Sequence, residues 1–285
     1  MKPITFGIKT APQHTTYEAI LQVWKQADEN PAFDHAWLFD HYAPIFSGID
    51  GPCLEGWTTL AALAAETSRI RIGLMVTGNT YRHPAILASI AATVDIVSNG
   101  RLDLGIGAGW NEYEHSSMGI PLYAPGERIR RLDEACQIIK QLFTQDLTTF
   151  EGRYYQLKEA RREPKPVQQP YPPFVIGGSG EKLTLRVVAK HAAVWNFVAG
   201  PVEEFQRKVG ILKQHCEAVG RDIQTIDLST QVQVNYDNLA KAAERTKTFI
   251  EAGANHFVYT LTYPYPEDII SRLADEVVGA VHENR

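Results

Sequence analysis

RIGLMVTGNTYRHPAILASIAATVDIVSNGRLDLGIGAGW, residues 71–110, reads as one complete strand–helix–strand unit. Residues 71–76 form a short apolar run, the mark of a strand buried on both faces. Pro84 opens a helix at the first-turn position, where its missing N–H is no loss. Ile86, Leu87, Ile90, Val94 and Val97 recur at helical spacing and are expected to form the buried stripe. Asn99-Gly100 stops the helix, because both residues tolerate the left-handed conformation of a C-terminal cap. Residues 102–106 then return to strand. Two strands joined through a helix lie parallel, since a parallel pair needs a crossover connection.

The same rhythm runs in both directions from this unit. Strands are expected at residues 4–8 and 35–39 before it, with helices at 17–29 and 56–67. After it come a helix at 127–143, a strand at 174–176, a helix at 181–190 and a strand at 193–197. A helix at 202–219 ends at Gly220 and precedes a strand at 226–233. A helix at 238–252 ends at Gly253, and a strand at 256–260 and a closing helix at 267–282 follow. Eight strand–helix units in 285 residues predict an α/β fold, one (β/α)8 TIM barrel spanning residues 1–285. A doubly wound open sheet is the alternative. One segment breaks the rhythm: residues 148–173 carry a hairpin-like piece at 150–154 and a proline-rich run. They read as an insertion between units four and five, a candidate lid or interface.

Composition bounds the function. Apolar residues make up 44% and charged residues 21%, and 28 basic against 33 acidic side chains give a net charge of −5. That is an ordinary globular balance, and it disfavours nucleic acid or an anionic membrane as the main partner. Cys53, Cys136 and Cys216 lie far apart, so a disulfide framework is not expected and a reducing, cytoplasmic compartment is. No leader pattern is read at the N-terminus, and no apolar run reaches the roughly 18–20 residues of a membrane span.

In such a barrel the chemistry sits where strands end and helices begin. Asp40-His41 follows strand two. Histidine exchanges protons near neutral pH, and the neighbouring aspartate can bond a cofactor edge; a structural hydrogen-bonding pair is the alternative. Gly177-Gly178-Ser179-Gly180 joins strand five to its helix. Glycines let successive N–H groups converge on an anion, so the turn reads as a phosphate cradle, or else as a tight turn needing only positive φ. Gly105-Ile106-Gly107-Ala108-Gly109-Trp110 fails the dinucleotide fingerprint, because Trp110 stands where the third glycine belongs. Small residues there let a flat ring lie against the backbone; a turn without ligand is again the alternative. Asn196 ends strand six. The histidines show neither HxH nor HExxH spacing, the chain has no GxSxG elbow and no P-loop, and no metal site is expected.

Two longer motifs carry a resemblance: Gly73-Leu74-Met75-Val76-Thr77-Gly78-Asn79-Thr80-Tyr81-Arg82-His83-Pro84, and the stretch from Gly100-Arg101-Leu102 through Gly109-Trp110-Asn111-Glu112. Together they resemble the luciferase-like monooxygenase superfamily, in its branch that uses the deazaflavin coenzyme F420. The resemblance implies a (β/α)8 barrel with an insertion, and a non-prolyl cis peptide at Met75–Val76 in a bulge backing the ring. It implies that Asp40, Met75, Val76, Thr77, Gly78, Asn79, Ala108, Gly109, Trp110 and Asn196 line the cofactor. Gly177, Gly178 and Ser179 would hold its phosphate, and His41 would assist hydride or proton chemistry. F420 is the implied cofactor, with FMN as the alternative and a monooxygenase reaction with it. A non-catalytic F420-binding protein is a further alternative. A homodimer acting on a small molecule is implied by likeness to the family. Related F420-dependent glucose-6-phosphate dehydrogenases carry a glutamate where this chain has Trp110, with Asn111 and Glu112 next. That departure argues against a sugar phosphate, and Tyr42, Phe46, Trp110, Tyr113, Phe197 and Tyr263 point to a less polar substrate; membership of the core is the alternative for several of them.

Overall fold

The computed structural model describes residues 2–282. Among them, eight parallel strands close into a barrel: β1 (Thr5–Thr10), β2 (His35–Leu38), β3 (Arg71–Leu74), β4 (Leu102–Gly107), β5 (Phe174–Gly177), β6 (Val194–Phe197), β7 (Asp227–Gln233) and β8 (His256–Leu261). Closure runs through β8 beside β1, with Thr5 opposite His256, and β3 beside β4, with Gly73 opposite Asp103. Helices α1 (Tyr17–Glu29), α2 (Gly56–Glu66), α3 (Pro84–Val97), α4 (Glu112–Ser117), α5 (Pro125–Thr144), α6 (Thr184–His191), α7 (Val202–Ala218) and α8 (Ala240–Glu251) lie between them in the chain. No described helix is long and apolar enough to cross a membrane.

Two cores hold the barrel. The larger one packs strand side chains against the helices, and a small one of Trp37, Met75, Val175, Val194 and Val258 fills the interior. The bulk of β2 explains the glycines around it. A Cβ on Gly7 would lie 1.8 Å from the His35 ring, and one on Gly73 would lie 2.4 Å from Trp37. Glycine therefore stands on both neighbouring strands where β2 sends its two large rings inward.

Strand β3 is shorter than the expected 71–76. From Gly73 to Thr77 the chain takes four steps, while its partner takes three from Asp103 to Ile106, so one extra residue bulges out before Thr77–Gly78 rejoins the sheet. The Met75–Val76 peptide in that bulge is cis, the bond the resemblance singles out. Strand β1 runs two residues beyond the expected end at 8, which carries Lys9 toward the open end of the barrel.

Helix α3 buries part of the expected stripe, Leu87 and Val94, together with alanines outside it. Ile86 is 58% exposed and Val97 45% exposed, Ile90 is half-buried, and Leu87, Ala88, Ala91, Ala92 and Val94 are buried. The helix is apolar on nearly every side, so spacing alone could not choose a face. The alanines did, because small side chains let the helix approach its neighbours. Asn99 and Gly100 terminate it with φ of 56° and 80° as expected. The closing helix is not continuous: α-helix at Ile269–Arg272 passes into a π-helical turn at Leu273–Gly279 before Ala280–His282.

Within residues 148–173, strands Thr148–Glu151 and Gln156–Ala160 pair antiparallel. Their turn docks on α5: the Glu134 carboxylate accepts from the backbone N–H groups of Arg153, Tyr154 and Tyr155. The Arg131 guanidinium lies 3.6 Å from the Tyr123 ring centre and 4.7 Å from that of Tyr154.

Candidate active site

The C-terminal ends of the strands surround a cavity of about 330 Å³. Strand β2 sends Phe39, Asp40 and His41 into its wall, and the β3 bulge sends Met75, Val76, Thr77 and Gly78. Gly107 to Trp110 follow from β4, Gly177 and Gly178 from β5, and Asn196 from β6. Lys9 of β1 and Gln231 of β7 complete the barrel side, and Arg128 of α5 faces in from above.

His41 is buried and its Nδ1 lies 2.8 Å from Glu114 Oε2. Glu114 is wholly buried and has four donors. Besides His41, Tyr81 donates its hydroxyl to Oε2, and the N–H groups of Tyr42 and Ala43 reach Oε1 at 2.6 and 3.1 Å. Burial pushes the Glu114 carboxyl up, but the hydrogen bonds from His41, Tyr81 and Tyr42 outweigh it and leave the group below its ordinary range. In the neutral ring, an ionised carboxylate at this distance holds the proton on Nδ1 and leaves Nε2 without one. Burial and the same carboxylate raise the Tyr81 hydroxyl, which keeps its proton.

Asp40 is also buried, but its oxygens are committed. Arg82 reaches them at 2.6 and 3.1 Å, Thr77 donates its hydroxyl, and Arg82 continues to Glu55 at 2.5 Å. The Trp57 indole N–H donates to the same threonine. Asp40 thus ties the β2 end to the Thr77 bulge while still lining the cavity.

At the β5 turn, Gly178 has φ +118°, and a Cβ there would lie 3.1 Å from Thr184. Helix α6 begins at Thr184 instead of the expected 181, because residues 181–183 form a separate turn whose Glu181 pairs outward with Arg207 and Lys208. Arg128 lines the cavity on this side with its Nε buried and unpartnered. The glycine turn and the Arg128 guanidinium line the same cavity, a donor set of the kind that suits an anion.

Of the site residues expected from sequence, all but Asn79 and Ser179 line the cavity. Asn79 is buried behind it and donates to the Tyr155 hydroxyl at 3.2 Å, its own Oδ1 unpartnered. Asn196 is held by Ser229 and Gln231. The aromatic set divides. Trp110, 51% exposed, and Phe46, 93% exposed, stack at 5.7 Å over the mouth, and Trp110 meets His41 edge-on at 5.6 Å. Phe197 instead belongs to the core with Trp195, Phe205 and Phe249, and Tyr113 and Tyr263 do not line the cavity. Glu112 faces solvent.

Four residues were missed: Glu114, Tyr81, Lys9 and Arg128. Glu114 had a signal pointing elsewhere. Asn111-Glu112-Tyr113-Glu114 has capping-box spacing, and Asn111 does cap α4, accepting from the Glu114 N–H at 3.2 Å. The carboxylate, however, turns away from the cap to His41.

Residues 4–277 match the family described as luciferase-like monooxygenase. An F420-dependent glucose-6-phosphate dehydrogenase of Kineococcus radiotolerans is 30% identical over 248 residues, covering 86% of this chain and 72% of that one. Two solved structures share the fold. An F420-dependent secondary alcohol dehydrogenase, determined with an F420–acetone adduct, aligns with a TM-score of 0.88 at 19% identity over 98% of this chain and 99% of the other. A long-chain alkane monooxygenase aligns with a TM-score of 0.83 at 14% identity over 100% and 92%. With nearly its whole length matched, its barrel closed and its β3 bulge in place, the chain belongs to the luciferase-like monooxygenase family.

Proposed function

We propose that the chain is an F420-dependent oxidoreductase that moves a hydride between the deazaflavin C5 and a small, weakly polar organic substrate. The observation that carries this reading is the His41–Glu114 pair, which presents one imidazole nitrogen to a cavity floored by backbone. The residues fit a flat anionic cofactor. A Cβ on Gly107 would lie 2.8 Å from Val76, so the floor between β3 and β4 has room only for glycine. Val76 and Met75 offer an apolar backing, and Gly177, Gly178 and Arg128 suit a phosphate. When bound, the deazaflavin supplies a two-electron hydride donor or acceptor.

The protein supplies position, a dry site and a proton relay. His41 Nε2 takes the proton of a substrate hydroxyl as hydride leaves its carbon, and returns it in the reverse direction. Glu114 holds the ring in the required tautomer and stabilises it when protonated. Trp110 and Phe46 cover the mouth and favour an apolar substrate body. Sugar phosphate fits poorly, because the lysine and arginine side chains that line the cavity are Lys9 and Arg128, and this reading gives both to the cofactor. A homodimer belongs to this reading by family likeness, and a cytoplasmic setting by the sparse, unpaired cysteines.

The test is a paired titration of cofactor-free protein with F420 and with FMN, followed by fluorescence. Preferential F420 binding is expected. Preferential FMN binding would replace the reading with an oxygen-using monooxygenase, the activity named for the alkane monooxygenase that shares this fold. Gly178→Val is expected to weaken F420 binding about tenfold or more, since a side chain at φ +118° costs roughly 1–3 kcal/mol of strain and crowds the anion seat. Unchanged affinity would remove the turn from the site.

A further inference from the structure

We infer that Lys9 is a charge-setting residue of the cavity, a fixed cation that favours the reduced, more negative form of the bound cofactor over the oxidised form. The inference rests on the reading of the cavity as a deazaflavin site.

Lys9 lies near the end of β1 and lines the same cavity as His41 and Val76. Among the described residues it has no carboxylate within ion-pair distance. Other cations in the barrel and its surrounding layer do: Arg82 pairs with Asp40, Arg71 with Asp103 and Lys208 with Glu181. The ammonium donates to Gln231 Oε1, a neutral acceptor. Gln231 is itself fixed, because its amide nitrogen donates to Asn196 Oδ1 at 2.9 Å. Asn196 in turn donates to Ser229 at 3.0 Å, and Ser229 lies 2.9 Å from His256 Nδ1. Every member of this chain can be neutral. His256 stacks on His35 at 4.0 Å, and burial pushes His256 down to about 4, so it is uncharged at neutral pH. The ladder aims a carbonyl oxygen at Lys9 and brings no negative charge to it.

Lys9 is half-buried, and an ammonium drawn out of water without a counter-ion is costly, so a ligand that supplies the missing charge is favoured beside it. An ammonium has three donors, and Gln231 takes one. Burial lowers Lys9 to about 8, which still leaves it protonated at neutral pH. Hydride arrival at C5 brings two electrons and one unit of negative charge to the ring system, and the substrate loses the same. Lys9 meets that charge through space. It thereby biases the equilibrium toward cofactor reduction and substrate oxidation.

The experiment measures the dissociation constants of oxidised and reduced F420 under anaerobic conditions, for the unaltered chain, Lys9→Met and Lys9→Arg. Lys9→Met is expected to weaken the reduced form at least tenfold relative to the oxidised form, equivalent to lowering the potential of the bound couple by about 30 mV for each factor of ten. Lys9→Arg is expected to keep the ratio of the unaltered chain. A ratio unchanged in Lys9→Met, with both forms still bound, would overturn the inference and leave the cofactor reading standing. Binding of neither form by the unaltered chain would overturn both.

Discussion

His41→Ala is expected to lower turnover by about two to four orders of magnitude with a verified substrate, the usual contribution of a positioned acid–base group. Its affinity for F420 should stay within an order of magnitude. The separation follows from where the ring stands. Its Nδ1 is taken by Glu114 and the residue lines the cavity, which under the proposed reading leaves Nε2 to exchange a proton. The surfaces suited to holding a ring and phosphate are elsewhere, at Met75–Val76, Gly107–Gly109 and Gly177–Gly178. Steady-state kinetics and a fluorescence titration on the same preparation check both halves. Unaltered turnover would remove His41 from the reaction, and a parallel collapse of cofactor binding would make it a binding residue instead.

The barrel was readable because most strands are short apolar runs closed off by glycine, proline or a polar turn, and several helices carry a glycine stop. Gly100, Gly220 and Gly253 all take positive φ after helices. What sequence could not choose was the orientation of an element apolar all round, and α3 shows it: Ile86 and Val97 fit the helical period but lost the interior to Ala88, Ala91 and Ala92. The π-helical turn at Leu273–Gly279 has no composition that announces it.

The site divides along the same line. Glycines at strand ends are visible because backbone approach is a property of single positions. Ion pairs and dyads are not, because they join residues far apart in the chain. Arg82 stands inside the motif used for the resemblance, yet its bond to Asp40 spans 42 residues, and the His41–Glu114 pair spans 73. Lys9 was lost for a simpler reason. The apolar run ends at Ile8, and the strand was ended with it, one residue before the cation that the sheet carries into the cavity.

Glu114→Gln is expected to lower turnover by about 10²–10⁴, comparable with loss of His41 itself, while the chain still folds. Glu114 receives only donors: His41 and Tyr81 on one oxygen, two backbone N–H groups on the other. A glutamine has one acceptor oxygen. With that oxygen kept by the backbone N–H groups, its NH₂ faces His41 and forces Nδ1 to accept, which moves the ring proton to Nε2 and reverses what the cavity is offered. Glu114→Ala goes further, leaving all four donors without the carboxylate, and a loss of about 3–5 kcal/mol of stability is expected in urea unfolding. The pH dependence separates charge from shape. Glu114 titrates below its ordinary value of 4.5 in the fold, so its contribution is fully present above pH 4.5 and fades as pH falls through the lowered value. The stability gap between the unaltered chain and Glu114→Gln should therefore be widest near neutrality and shrink in acid below pH 4.5. A gap that stayed constant down to acid would mean that the carboxylate charge does not hold this site together, and that His41 takes its tautomer from elsewhere.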